Sequence, residues 1–118
     1  MSFSDSYSIP EVDVETLAHR LQEDLGALRL IDVREVQEIE IAQVPGFTHL
    51  PLSDFSTWSR RLLDEWALED EIWVICHHGM RSAQVCAWLS QQGYQNVKNV
   101  VGGIDAYSLR VDQTIPRY

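Results

Sequence analysis

Apolar and polar positions change their spacing several times along the 118 residues of the chain. Val14, Leu17, Ala18, Leu21 and Leu25 recur at intervals of three and four, which places side chains on one face of a helix. Asp13 stands where an N-cap is wanted and Gly26 where a left-handed residue closes a helix, so the pattern predicts a helix between them. Leu28 to Val33 is a short, mostly apolar run with a polar exit at Asp32, Arg34 and Glu35, and it reads as a strand. Val36 and Ile39 give a brief helix over Glu35 to Ile41, Pro45-Gly46 is a turn, and Thr48-His49-Leu50 is a further short strand. Phe55, Trp58, Leu62, Leu63 and Trp66 fall on one side of a helix capped by Ser53 or Asp54, opposite Thr57, Arg60, Arg61 and Asp64. Ile72 to Ile75 is β-branched and aromatic without a turn former, as a buried strand requires. A helix follows to Gly93, carrying Ala83, Val85, Cys86, Ala87, Trp88 and Leu89. Asn96 to Val101 is the last strand, Gly102-Gly103 bounds it, and Ile104 to Tyr107 supplies a final turn of helix. The tail to Tyr118, containing Pro116, is expected over the surface.

Strands alternating with helices imply parallel strands with helices on both faces, and in such sheets ligands bind at the carboxyl ends of the strands. Asp32 and Cys76 both stand at such ends. The length suits one domain with a core of its own, and 45% hydrophobic residues with four tryptophans agree with that. A formal charge of −9 and a pI near 4.7 argue against nucleic acid and anionic membrane surfaces as partners. Two cysteines near one loop make neither a disulfide framework nor a zinc motif. Residues 1–10 read as a flexible lead-in without the basic start or apolar core of a signal peptide. A reducing, cytoplasmic setting is the expectation.

The chemistry concentrates in Cys76-His77-His78-Gly79-Met80-Arg81-Ser82, which joins the Ile72–Ile75 strand to the helix after it. Where a strand ends and a helix begins, unpaired backbone N–H groups and the positive end of the helix dipole converge, which favours a bound anion or a thiolate. Arg81 adds a fixed positive charge, so Cys76 is a candidate nucleophile. Cys86 falls among apolar neighbours and reads as core. His77 and His78 read as exposed loop residues rather than metal ligands, because adjacent positions in a tight loop are expected to point apart. The tryptophans at helical spacing read as core as well.

Four stretches carry a resemblance. Ile31-Asp32-Val33-Arg34-Glu35, then Glu38 and Pro45 to Leu52, then the Cys76–Ser82 loop, then Val100-Val101-Gly102-Gly103-Ile104 resemble, in order, the signatures of the rhodanese-type sulfurtransferase domain. The resemblance covers nearly the whole chain and implies an α/β, three-layer rhodanese-like fold: a central, mainly parallel five-stranded sheet flanked by helices, in a single domain over residues 11–118. It implies that the Cys76 thiolate takes the outer sulfur of a donor such as thiosulfate, becomes a persulfide, and yields that sulfur to a thiophilic acceptor. The substrate-binding set it implies is His77, His78, Gly79, Met80, Arg81 and Ser82, with loop N–H groups cradling the outer sulfur or the donor's oxygens. Arg81 would hold an anionic donor by paired hydrogen bonds. Asp32 would orient the loop or Arg81, and Arg34 would brace the structure through an acidic partner. No cofactor and no metal are implied; the partners are a small anionic sulfur donor and a thiol or protein sulfur acceptor. Gln43, Ala42, Phe47 and Tyr107 depart from the family pattern at positions that shape packing and the pocket, away from the cysteine loop.

Two other readings compete. A rhodanese module without turnover would bind a partner or carry sulfur, since fold alone does not imply function. A phosphatase or arsenate reductase of related fold also sets a cysteine and an arginine around an anion. Four residues separate Cys76 from Arg81 here, against five in those phosphatases, leaving a smaller cradle suited to a sulfur atom.

Overall fold

A computed structural model describes residues 9–23 and 25–118. The expected lead-in over residues 1–8 lies outside the described residues. The described chain forms β1 (Glu11–Val12), α1 (Val14–Gln22), β2 (Arg29–Asp32), α2 (Val36–Ile41), β3 (Thr48–His49), α3 (Phe55–Glu65), β4 (Glu71–Ile75), α4 (Met80–Gln91), β5 (Asn96–Val100) and α5 (Gly103–Arg110). The strands make one sheet in the order β1-β5-β4-β2-β3. Every pairing in it is parallel.

Strand side chains alternate between the two faces, and two cores result. Leu30, Trp73, Ile75 and Val100 pack with Val14 and Leu17 of α1 and Ile104 and Tyr107 of α5. Ile31, Val33, Ile72, Val74, Cys76 and Val97 pack on the opposite face, against Trp58 and Leu62 of α3 and Val85, Cys86 and Leu89 of α4. Edge-to-face contacts of Phe55 with Trp58 and Trp88, ring centroids 4.9 Å apart in each pair, join α3 to α4. The layers are helix, sheet, helix.

Several boundaries differ from the sequence reading. The two residues of β1 are too few for a periodic signal, and their pairing with Asn99 and Val100 comes from the sheet alone. Pro10, assigned to the lead-in, is already tied down, its carbonyl accepting from Asn99 N at 3.0 Å. α1 stops at Gln22, and Leu25 and Leu28 reach the core from the following loop rather than from another helical turn. A 3₁₀ turn over Leu52–Asp54 precedes α3, and neither Ser53 nor Asp54 caps it by a side-chain hydrogen bond. Leu63, one step round from buried Leu62, is exposed. α5 runs to Arg110, well beyond the single turn expected.

This architecture positions the site. In the β2–β4 register Asp32 lies opposite Ile75, and Val33 N donates to Ile75 O at 3.1 Å. The exits of the two strands are therefore neighbours, and Cys76 leaves the sheet beside the Asp32-Val33-Arg34 segment. Among the described residues no helix is long and apolar enough to cross a membrane.

Candidate active site

Cys76 is 1% exposed, and its loop is fixed at both ends. At the start, Ile104 N donates to Cys76 O at 2.9 Å and Asp105 N donates to His77 O at 3.1 Å, so the first turn of α5 grips the loop's carbonyls. Gly103 makes that grip possible: its φ is +62°, and a Cβ there would lie 2.5 Å from the His77 carbonyl carbon. At the other end Gly79, φ +104°, is the N-cap residue of α4. Its N–H donates to Cys76 Sγ at 3.1 Å.

Ser82 and Asn99 complete the surroundings of the sulfur. Ser82 Oγ lies 3.2 Å from Sγ and 2.5 Å from Asn99 Oδ1, while Asn99 Nδ2 donates to Gly79 O at 3.0 Å. All three side chains are buried. A hydroxyl has one proton, so Ser82 donates either to Asn99 or to the sulfur. A thiol can itself donate to Ser82, but a thiolate can only accept. Ionisation of Cys76 thus favours turning the Ser82 proton from Asn99 toward Sγ.

The charged groups beside the loop are paired. Arg34 is completely buried and meets Asp32, Nε with Oδ1 at 3.0 Å and Nη2 with Oδ2 at 2.8 Å. Burial works against the Arg34 charge, and hydrogen bonds with Asp32 and Tyr118 outweigh it, leaving its pKa raised. The acidic partner of Arg34 is therefore Asp32, which meets neither Arg81 nor the cysteine loop by hydrogen bond. Arg81 is held instead by Glu38, Nη1 to Oε2 at 2.7 Å and Nη2 to Oε1 at 2.8 Å. Glu38 also accepts from Glu35 N at 2.9 Å and from Tyr118 Oη at 2.9 Å. The Arg81 guanidinium foremost, with the Glu35 amide and the Tyr118 hydroxyl, lowers the Glu38 pKa to about 2 against burial, and Arg81 is raised in return.

The two histidines do not point apart. Their ring centroids are 3.9 Å from each other, and His77 is also stacked on Tyr118, at 3.9 Å and within 8° of parallel. His77 Nε2 is buried without a hydrogen-bond partner, and burial lowers the pKa of the ring. His78 Nε2 lies 3.7 Å from Asp105, which is also bound by Arg117 at 2.9 Å. One potential donor atom each from His77, His78 and Asp105 lie within 4.8 Å of one another, the group among the described residues able to approach a metal ion. Met80, by contrast, is 78% exposed at the rim.

Three participants escaped the sequence reading. Asn99 was taken only as part of a strand; its signal is parity with Val97, which turns an amide toward α4 at a strand end. Glu38 appeared only as a spacing in a motif. Tyr118 is on the surface as expected, 37% exposed, but its contact was not foreseen: Arg34 Nη1 donates to its hydroxyl at 2.9 Å across 84 positions. Cys86 is buried in the second core, and burial pushes its thiol pKa up.

Residues 13–110 match the family model described as Rhodanese-like domain. The chain is 43% identical over 117 residues to the Rhodanese-like/PpiC domain-containing protein 12, chloroplastic, of Arabidopsis thaliana, covering 98% of this chain and 39% of that protein. It is 36% identical to the putative sulfur carrier protein YrkF of Bacillus subtilis, over 87% of this chain and 53% of the other. The sulfurtransferase of Allochromatium vinosum is 34% identical, with 85% and 89% covered. Among solved structures, SSP1007 from Staphylococcus saprophyticus superposes with a TM-score of 0.72 at 27% identity, over 92% of this chain and 100% of that one. The chain spans between about two fifths and about half of the first two relatives.

Proposed function

The chain belongs to the rhodanese-like domain family, and from that premise we propose that it is a sulfurtransferase working through a persulfide on Cys76. In the first half-reaction the Cys76 thiolate attacks the outer sulfur of a sulfane-sulfur donor, of which thiosulfate is the simplest. A bond forms between Sγ and that sulfur, the donor's S–S bond breaks, and sulfite leaves with the electron pair. In the second, a thiol or a protein nucleophile attacks the outer sulfur of the persulfide, and Cys76 leaves as the thiolate. The two half-reactions predict ping-pong kinetics.

The observation that carries this reading is the Gly79 N–H, 3.1 Å from one buried sulfur at the N-terminus of α4, with the Ser82 hydroxyl 3.2 Å away and able to turn its proton to that sulfur when it ionises. Donors fixed in a water-poor loop stabilise charge on sulfur without reorganising. The N-terminal end of the helix favours the same charge. Gly79, Met80, Arg81 and Ser82 supply the first backbone N–H groups of that helix, and the outer sulfur is proposed to sit among them, with His77 and His78 at the rim. Asp32 and Arg34 act as bracing. A cytoplasmic setting and independence from any cofactor belong to the same proposal.

The name of the Bacillus subtilis relative supports a second reading, a sulfur carrier that takes up sulfur and hands it to one protein without free turnover. A phosphatase is the weaker rival, since the short loop is joined by an Arg81 already engaged by a carboxylate. Steady-state assay with a sulfane-sulfur donor and a thiol acceptor tests the enzyme reading. Turnover that disappears in Cys76→Ser is the expected result, single loading without turnover would favour the carrier, and turnover surviving in Cys76→Ser would overturn the proposal.

A further inference from the structure

The backbone ties the start of the cysteine loop to the first turn of α5. Asp105 N donates to His77 O at 3.1 Å, so the side chains of His77, His78 and Asp105 leave neighbouring points of one fixed frame. A donor atom from each of the three lies within 4.8 Å of the other two. Asp105 is bound by Arg117, whose side chain is 55% exposed, and it lies 3.7 Å from His78 Nε2, too far for a hydrogen bond. His77 Nε2 is buried and has no hydrogen-bond partner. Sulfur transfer through Cys76 gives that nitrogen no bond to make. A buried polar atom left unpaired costs about 1–3 kcal/mol, which a bound ion or water meeting it would recover.

The donor set favours a cation over a water. Two imidazoles and a carboxylate are the ligand types of zinc and its neighbours in the transition series, and a chain of formal charge −9 attracts a divalent ion. Zinc takes imidazole nitrogen at about 2.0–2.1 Å and carboxylate oxygen at about 2.0–2.2 Å, so donors at tetrahedral corners stand about 3.3 Å apart. Closing to that spacing from 4.8 Å takes roughly 1.5 Å. His78, its side chain 60% exposed, has the room to turn through it. The geometry points to a binding site for a divalent transition-metal ion of the zinc class, held by His77, His78 and Asp105 at the rim of the cysteine loop, with its remaining positions open. Arg117 must release Asp105 to the ion, which makes Arg117 the group that limits affinity. The persulfide cycle needs no metal, and the two proposals stand or fall separately.

Zinc chloride titrated calorimetrically into tag-free protein, in a buffer that does not bind metal, is the experiment. The wild type is expected to take up one ion per chain, saturably. Losing a group that merely supports a metal ligand costs about 10- to 100-fold in affinity, and losing a ligand in His78→Ala or Asp105→Asn is expected to cost at least as much. Arg117→Gln frees the carboxylate and is expected to tighten binding. Cys76→Ser is expected to bind as the wild type does, because its thiol is not a ligand. Exposure of His78 makes His78→Ala the variant least liable to disturb the fold, which circular dichroism checks. No saturable uptake by the wild type, an affinity unchanged in His78→Ala, or uptake lost in Cys76→Ser and so owed to the thiol would each overturn the inference.

Discussion

Replacing Gly103 by alanine tests how tightly the reactive loop depends on a residue that carries no chemistry. The new Cβ would lie 2.5 Å from the His77 carbonyl carbon and closer still to the carbonyl oxygens of Cys76 and His77. Non-bonded carbon atoms rest at about 3.5–4.0 Å, so α5 and the cysteine loop must separate by roughly 1 Å. The hydrogen bonds from Ile104 N and Asp105 N to those carbonyls lie in the path of that movement. Holding alanine at a φ of +62° costs about 1–2 kcal/mol, and overpacking adds about 1–3 kcal/mol. The variant should lose roughly 2–5 kcal/mol, or about 8–20 °C in Tm for a domain of this size. A displacement of that order at a reacting group also costs about a hundredfold in rate. Gly26→Ala is the control: its φ is +57°, but the added Cβ meets nothing within 4 Å, so it should lose about 1 kcal/mol and load sulfur normally. Urea unfolding and the rate of persulfide formation, followed by mass spectrometry, are the assays. Gly103→Ala loading within about threefold of wild type, with a stability equal to that of Gly26→Ala, would refute the argument.

Three further outcomes are expected. Asp32→Asn strands the fully buried Arg34 charge and should lose about 3–5 kcal/mol in urea unfolding, while Asp32→Asn with Arg34→Met should recover much of it; no recovery would mean that the pair is not the source of the loss. Ser82→Ala removes a hydrogen bond to the reacting sulfur and should slow alkylation of Cys76 by iodoacetamide by roughly 10- to 100-fold, whereas an unchanged rate would leave Ser82 serving Asn99 alone. The Glu38 pKa falls from 4.5 to about 2 on folding, so its contribution to stability is complete above about pH 5 and is lost as pH drops toward 2. The acid limb of the stability curve should accordingly be shallower in Glu38→Gln, and parallel curves would contradict the assignment.

The parts of this structure legible in the sequence are those with a local cause. Ile72 to Ile75 has no alternative to a buried strand, Gly79 marks the turn into α4, and the helical faces of α1 and α3 follow from spacing, so the α/β layering and the position of Cys76 could be read directly. What could not be read depends on contacts between distant residues. Glu11 and Val12 become a strand only because β5 offers them an edge. Arg81 was expected to hold an anion, but Glu38 reaches it from α2, 43 positions away. His77 and His78 were expected to diverge, and the stacking of His77 on the distant Tyr118 accompanies their close approach. Asn99 looks like any polar residue of an edge strand until the sheet order puts β5 between β1 and β4 and turns its amide toward Ser82.

The central claim is that Cys76 carries the sulfur, and intact-protein mass spectrometry measures it most directly. Reduced wild type and Cys76→Ser are weighed before and after exposure to thiosulfate and to cysteamine persulfide, then again after addition of a thiol acceptor. The account predicts a gain of one sulfur atom in the wild type, none in Cys76→Ser although buried Cys86 is still present, and loss of the added mass with the acceptor. Equal gain in Cys76→Ser, or no gain in the wild type from either donor, would contradict it.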